Sequence, residues 1–331
     1  MGAFRPDMRL LISIDVEAHR VIDEITGPFR DSLGTILRIL GENCVHGTFF
    51  VDVCEVRKWG REFMRTTCTR ILSAGHEVQL HVHPHHTSGD NSRWLLSEYS
   101  PEEQETILSQ SISDFEDLTG KLPTAFRAGG FGADNATVDI LAARGIRVDS
   151  SYLWRRPGCV IRPPRISETS NFRGVLEVPL TPAVVLGTRK RALRTSCLDF
   201  NWLPMFAIER LLIGMRRDGQ TAAVLLMHSS SMYVRVGRTR LWYRRGNERR
   251  LRRLLSFATL QGFSICTLSE SVEVPSTEPE PAVLQGFVSQ YLVLLYQAVV
   301  GFGISGKFRL FIVANAIAGA VLAYMFIGWL R

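Results

Sequence analysis

Lysine is scarce in this 331-residue chain: Lys58, Lys121, Lys190 and Lys307 are the only four, so arginine carries almost all of the formal net charge of +7. Such a balance suits phosphate or an anionic lipid surface, and equally a solvated basic face. No CxxC pair is present, and the six cysteines, Cys44, Cys54, Cys68, Cys159, Cys197 and Cys266, are too sparse for a disulfide scaffold. They read as reduced, buried thiols. The N-terminal stretch has no apolar segment of signal-peptide length, because the run Leu10 to Ile14 meets Asp15 almost at once. A cytoplasmic domain is the expectation. Zinc-finger spacings, an RNP motif and aromatic residues interleaved with the arginines are also missing, so no nucleic-acid partner is expected.

The length allows one large α/β domain and a short appendage. Short β-branched or apolar runs recur at 9–15, 46–51, 77–81, 124–127, 147–150, 175–178, 222–228 and 263–268. Between most of them lie stretches of helical spacing at 29–41, 57–74, 101–119, 134–144, 205–217 and 246–261. This alternation predicts a parallel sheet with crossover helices, closed or nearly closed into a distorted (β/α) barrel. The segment 155–173 reads as a long surface loop.

Composition changes at 273–281, a proline- and glutamate-rich linker that divides a catalytic domain, 1–272, from a membrane-associated segment, 282–331. From Leu310 to Leu330 no charge appears, and a helix of that length reaches about 31 Å, enough for a bilayer core of ~30 Å. The run 308–330 is therefore expected to span a membrane, with a buried C-terminal helix as the alternative. The preceding run, 282–306, carries Gln285, Ser289, Gln290 and Gln297 on one side of a helix and suits an interfacial segment or a first span.

Two clusters carry the chemistry. The first strand ends in Asp15-Val16-Glu17, which places two carboxylates on one side of an extended backbone. Five histidines, His76, His81, His83, His85 and His86, then fall within eleven residues where another strand runs out into a loop. Neutral imidazole is the commonest metal ligand, and two histidines with one carboxylate leave positions open for water and substrate.

These residues, in this order, resemble the polysaccharide deacetylase superfamily, the NodB-homology enzymes, over about residues 8–272. Asp15 and Glu17 match its acidic pair, the first acid implied as general base and the second as a metal ligand. Gly75-His76-Glu77 followed by His81 and His85 matches its second motif, while a related subgroup matches His81, His83 and Pro84. The implied ligand set is Glu17, His81 and His85, with His83 as the alternative. Phe126-Arg127-Ala128-Gly129-Gly130-Phe131 keeps the family arginine but lacks the proline that normally follows it. That resemblance implies that Arg127 orients the base and that the Gly129-Gly130 backbone helps hold an oxyanion. Asp149 and Tyr152 stand on the fourth motif, with its aromatic changed, and His228 closes the fifth as the implied general acid, oriented by Asp149.

The resemblance implies metal-assisted hydrolysis of a sugar amide, with a divalent metal. Zinc fits best, although nickel, cobalt and iron accept the same ligands. With no export signal and an apolar tail, the expected substrate is an N-acylated sugar or glycolipid, such as a lipid-linked precursor, at the cytoplasmic face of the inner membrane, with membrane lipid as a partner. The arginine-rich stretch 235–253 would meet phosphates or the anionic leaflet. Other readings are an inactive, tethered sugar-binding scaffold and a hydrolase of another small C–N bond.

Overall fold

The computed structural model describes residues 8–18, 30–163, 169–188, 190–236, 240–271 and 281–301. The strands are β1 (Arg9–Val16), β2 (Thr48–Asp52), β3 (Glu77–Val82), β4 (Ala125–Ala128), β5 (Val148–Asp149), β6 (Ser170–Phe172), β7 (Val175–Glu177), β8 (Pro182–Gly187), β9 (Ala192–Cys197), β10 (Ala222–His228), β11 (Tyr233–Val236), β12 (Arg240–Tyr243), β13 (Ser264–Cys266) and β14 (Ala282–Val283). The helices are α1 (Ser32–Glu42), α2 (Val56–Trp59), α3 (Arg61–Ser73), α4 (Pro84–Ser88), α5 (Pro101–Thr119), α6 (Asn135–Ala143), α7 (Met205–Arg217), α8 (Arg245–Leu260), α9 (Leu268–Ser271) and α10 (Phe287–Gly301). Local chemistry sets their ends. At α5, Ser100 and Glu103 form a reciprocal capping box, Pro101 takes the first turn, and Gly120 ends the helix at a φ of 74°.

The main sheet runs β10-β1-β2-β3-β4-β5-β7-β6, parallel throughout except for β6 against β7, with β13 also paired to the start of β1. Its two faces follow the two-residue side-chain period. Leu11, Phe50, Ala125, Val148, Val224 and Leu226 form a cluster on the inner face. The helices cover the outer face, where Leu10, Ile12, Ile14, Phe49, Leu80, Phe126 and Leu225 join a larger core. Where a closed or nearly closed barrel was expected, the sheet is an α/β half-barrel, for no strand pairing among the described residues joins β6 to β10. Single backbone bonds span the gap instead: Leu198 N–H donates to Thr181 O at 2.9 Å, and Leu226 N–H to Leu198 O at 2.8 Å.

Three further differences from the expectation concern elements with partners far along the chain. Tyr233–Val236 and Arg240–Tyr243 pair antiparallel at the start of the arginine-rich stretch. Strands β14, β8 and β9 make a separate sheet. Residues 281–301, expected to associate with a membrane, pack on the domain: Ala282 pairs with Ala183, Leu284 N–H donates to Val184 O at 3.0 Å, and Val293 is fully buried. Among the described residues no helix is long and apolar enough to cross a membrane. The 308–330 run and nearly all of the 273–281 linker lie outside them.

Asp149, expected to orient His228, stands in register with Phe126 on the helix-facing side of the sheet. It stands opposite Glu177 in the β5–β7 register, both are buried, and its Oδ1 accepts from the Ser151 hydroxyl. Asp149 Oδ2 and Glu177 Oε2 accept from no protein donor among the described residues, so only a shared proton can bond the two carboxyls. Burial pushes Asp149 up to about 6, against the opposing pull of the Ser151 and Glu177 hydrogen bonds, and burial beside Asp149 raises Glu177 well above the usual range.

A native state that holds protons the unfolded chain has released loses stability as pH rises. The contribution of this pair is complete below about pH 4 and is lost as pH rises through 6 and above. The amide of Glu177→Gln can donate to Asp149 without a proton to lose. Thermal unfolding between pH 5 and 8 should therefore show a flatter profile for Glu177→Gln than for the wild type, by on the order of 3 kcal/mol across the range. Parallel profiles would show that the pair does not share a proton.

Candidate metal and catalytic site

The inner face carries polar groups toward the C-terminal ends of its strands: Ser13 and Asp15 on β1, His81 on β3, Arg127 on β4 and His228 on β10. Arg127 is fully buried. Its Nη1 donates to Asp15 Oδ1 at 2.7 Å and to Ser13 Oγ at 3.1 Å, Nε to Ser150 O at 3.1 Å and Nη2 to Ser150 Oγ at 3.0 Å. The guanidinium carbon lies 4.1 Å from the Phe50 ring centroid, so the cation is bonded at its edge and stacked on its face. Burial pushes the Asp15 carboxyl up, but the charges of Arg127, His81 and His228 and the Arg127 hydrogen bond outweigh it, leaving the group below its ordinary value. Asp15 is thus held as a carboxylate.

Beside it, Glu17, His81 and His83 offer one ligand atom each within 4.8 Å of one another, all three buried. His83 Nε2 is 2.8 Å and His81 Nε2 3.4 Å from Glu17 Oε1. The Arg127 carbonyl, 2.8 Å from His81 Nδ1, can only accept, so Nδ1 carries the proton. With Nδ1 bonded there, Nε2 is the His81 atom turned toward the Glu17 carboxylate, and two imidazoles with one carboxylate are a donor set that a divalent ion fits. Asp52 steadies this corner, its Oδ1 accepting from the His83 N–H at 3.3 Å and its Oδ2 lying 3.0 Å from His86 Nδ1.

The trio takes His83, the alternative ligand, in place of His85. His85 sits in the first turn of α4, its ring stacked on Trp94 with centroids 4.4 Å apart. A helix turn after His83 carries the next side chain out of the strand's alternation. Glycine at 129 makes room for the trio: a Cβ there would lie 2.6 Å from His83 Cγ and Nδ1. His76 and Glu77 lie at the opposite end of β3, where Glu77 bonds Thr48 and Gln79.

His228 pairs in register with Asp15 across β10 and β1, and Asp15, Glu17 and His228 form a second group of converging donors. These three open onto a cavity of about 500 Å³ whose walls include Gly130, Leu153, Trp154, Arg155, Arg156, Arg194, Asp199, Trp202 and Gln297. Gly130 reaches this wall, whereas Gly129 packs under His83. Tyr152, the changed aromatic of the fourth motif, is buried in the core, and the next residues, Leu153 and Trp154, face the cavity. Asp199 went unnoticed in the sequence. It bridges to Leu226, two residues before His228, and lines the same cavity, a position that an isolated acid after β9 does not advertise. Trp202, 42% exposed, and Gln297 were also missed as site residues.

A sequence model of the family described as polysaccharide deacetylase matches residues 23–148, which contain His81, His83 and Arg127 but not Asp15, Glu17 or His228. A peptidoglycan deacetylase-like protein, FGM2, from Gibberella zeae is 26% identical over 166 residues, 44% of this chain and 44% of that protein. The chain thus matches less than half the length of that curated relative. A crystal structure of a candidate polysaccharide deacetylase from Mycobacterium smegmatis superposes with a TM-score of 0.53 at 21% identity, covering 85% of this chain and 96% of that one, a likeness of fold. Over residues 23–148, and in a half-barrel that gathers the described motif residues at one end, the chain is similar to polysaccharide deacetylases.

Proposed function

We propose that the protein is a metal-dependent hydrolase that removes the N-acyl group of an amino sugar. The observation that carries this reading is the convergence on one cavity of an ion-paired carboxylate, Asp15, of Glu17, which belongs to a two-histidine, one-carboxylate donor set, and of His228. Glu17, His81 and His83 would hold the divalent cation, zinc by chemistry of the donors, whose Lewis acidity makes water a better nucleophile and polarises an acyl carbonyl. Asp15, kept ionised by Arg127, accepts the proton of the attacking water. The Gly130 backbone, on the cavity wall, donates to the oxygen on which charge builds. His228, on the strand beside Asp15, delivers a proton to the departing amine, and Asp199 takes the orienting role expected of Asp149. Amide and water give free amine and carboxylate.

The finer reading is a lipid-linked or membrane-assembled sugar at the cytoplasmic membrane face. What supports it is the trio of arginines on the cavity wall, Arg155, Arg156 and Arg194, suited to a phosphate-bearing substrate, together with the uncharged run 310–330 of the sequence.

Metal content and release of acetate or formate from N-acylated amino sugars test the core of the proposal. His81→Ala should lose both the metal and the activity. Asp15→Asn, which keeps an acceptor for Arg127, should retain metal while losing about 10²–10⁴-fold in rate. Wild-type protein that binds sugar but takes up no metal and releases no acid would instead be a binding scaffold. Gly129→Ala, by driving a methyl group into the His83 ring, is expected to weaken metal affinity about 10–100-fold, read by titration with cobalt(II). Unchanged affinity would remove His83 from the ligand set. For location, the full chain should sediment with membranes and a chain ending at Gly301 should not; sedimentation of both would move the attachment to another surface.

A further inference from the structure

Helix α10 presents a side chain to the cavity that the hydrolysis scheme does not use. Its inward stripe, Ser289, Gln290, Val293, Tyr296 and Gln297, follows helical spacing against the domain. Each of the first four has its place. Arg210 donates to Ser289, and Gln290 takes the Gly187 N–H at 3.2 Å and gives its own Nε2–H to Gly187 O at 3.0 Å. Val293 enters the core, and the Tyr296 hydroxyl receives Arg250 Nη1 at 3.0 Å and donates to Asn201 O at 3.2 Å.

Gln297 differs. It is 5% exposed, its Oε1 accepts from no donor among the described residues, and it lines the cavity with Asp15, Glu17 and His228. A buried amide oxygen without a donor is unfavourable, and the pinned neighbours hold this part of the helix against the wall. An occupant of the cavity that brings a hydroxyl removes the penalty. An amide accepts such a bond without adding charge to a site already holding three carboxylates, Asp15, Glu17 and Asp199. Trp202, half-exposed on the same wall, offers its face to the apolar side of a sugar ring.

We infer that Gln297 is a substrate-binding residue whose Oε1 accepts a hydrogen bond from a ring hydroxyl of the sugar, and that α10 is therefore a wall of the active site. The inference rests on the hydrolase reading for its substrate class. It assigns Gln297 no proton transfer, so its loss should weaken binding and spare the chemical step.

The test uses the full chain and N-acetylglucosamine oligomers, comparing wild type with Gln297→Leu, which keeps the side chain's size, and with Gln297→Met should the first fail to fold. The expected result is a KM raised about tenfold with kcat within about twofold and a thermal midpoint equal to or above the wild type. An unchanged KM with a lowered midpoint would make Gln297 structural and overturn the inference while leaving the hydrolase intact. Should the wild type bind the oligomers without cleaving them, the hydrolase reading fails. The inference then stands on a Kd about tenfold weaker in Gln297→Leu by calorimetry, and falls if the Kd is unchanged. Wild-type protein that neither binds nor cleaves them overturns both.

Discussion

The barrel mouth is organised around one buried ion pair. A fully buried guanidinium requires nearly all of its donors to be satisfied, and Arg127 meets that requirement only by drawing together β1, β4 and the turn after β5 while lying on the Phe50 ring of β2. Removing one partner of such a pair and leaving the other charge buried costs about 3–5 kcal/mol. The strands that carry Asp15 and Arg127 are therefore fixed relative to each other by an interaction that also sets the ionisation of Asp15. The carbonyl of the same residue fixes the His81 tautomer. Stability and chemistry meet at this residue.

Side-chain parity does the rest. Along β1 the inner positions read Leu11, Ser13, Asp15 and along β10 Val224, Leu226, His228, so the inner face changes from apolar at one end to polar at the other. Below, the cluster excludes water. Above, donors converge on a cavity. A one-residue slip of either strand would exchange these groups for the helix-facing core residues, which is why the apolar alternation fixes the site as firmly as it fixes the sheet.

Much of this was legible in the chain. The expected runs at 9–15, 77–81 and 222–228 are strands, and those at 101–119 and 205–217 are helices, because each has a period and punctuation that local physics determines. The Asp15–Arg127 contact and the gathering of Glu17, His81 and a neighbouring histidine also follow from strand ends sharing one face. What failed depended on partners distant in sequence. His83 and His85 have nearly equal claims by spacing, and the turn into α4 separates them. Asp149 and Asp199 are both acids beside strands, and only the register with Glu177 or the bridge to Leu226 tells them apart. The polar stripe Ser289, Gln290 and Gln297 on an apolar helix was read as suiting an interfacial segment or a first span. It is the face toward Arg210 and Gly187, since periodicity reports that a helix has two sides and not what covers either.

Gly301 ends the helix that walls the cavity, and only eight residues separate it from the start of the uncharged run at Leu310. A peptide spans at most about 3.6 Å per residue, so this link can pay out roughly 32 Å of chain. The leash is short. Whatever holds the uncharged run at its start also holds the cavity wall within that length of chain.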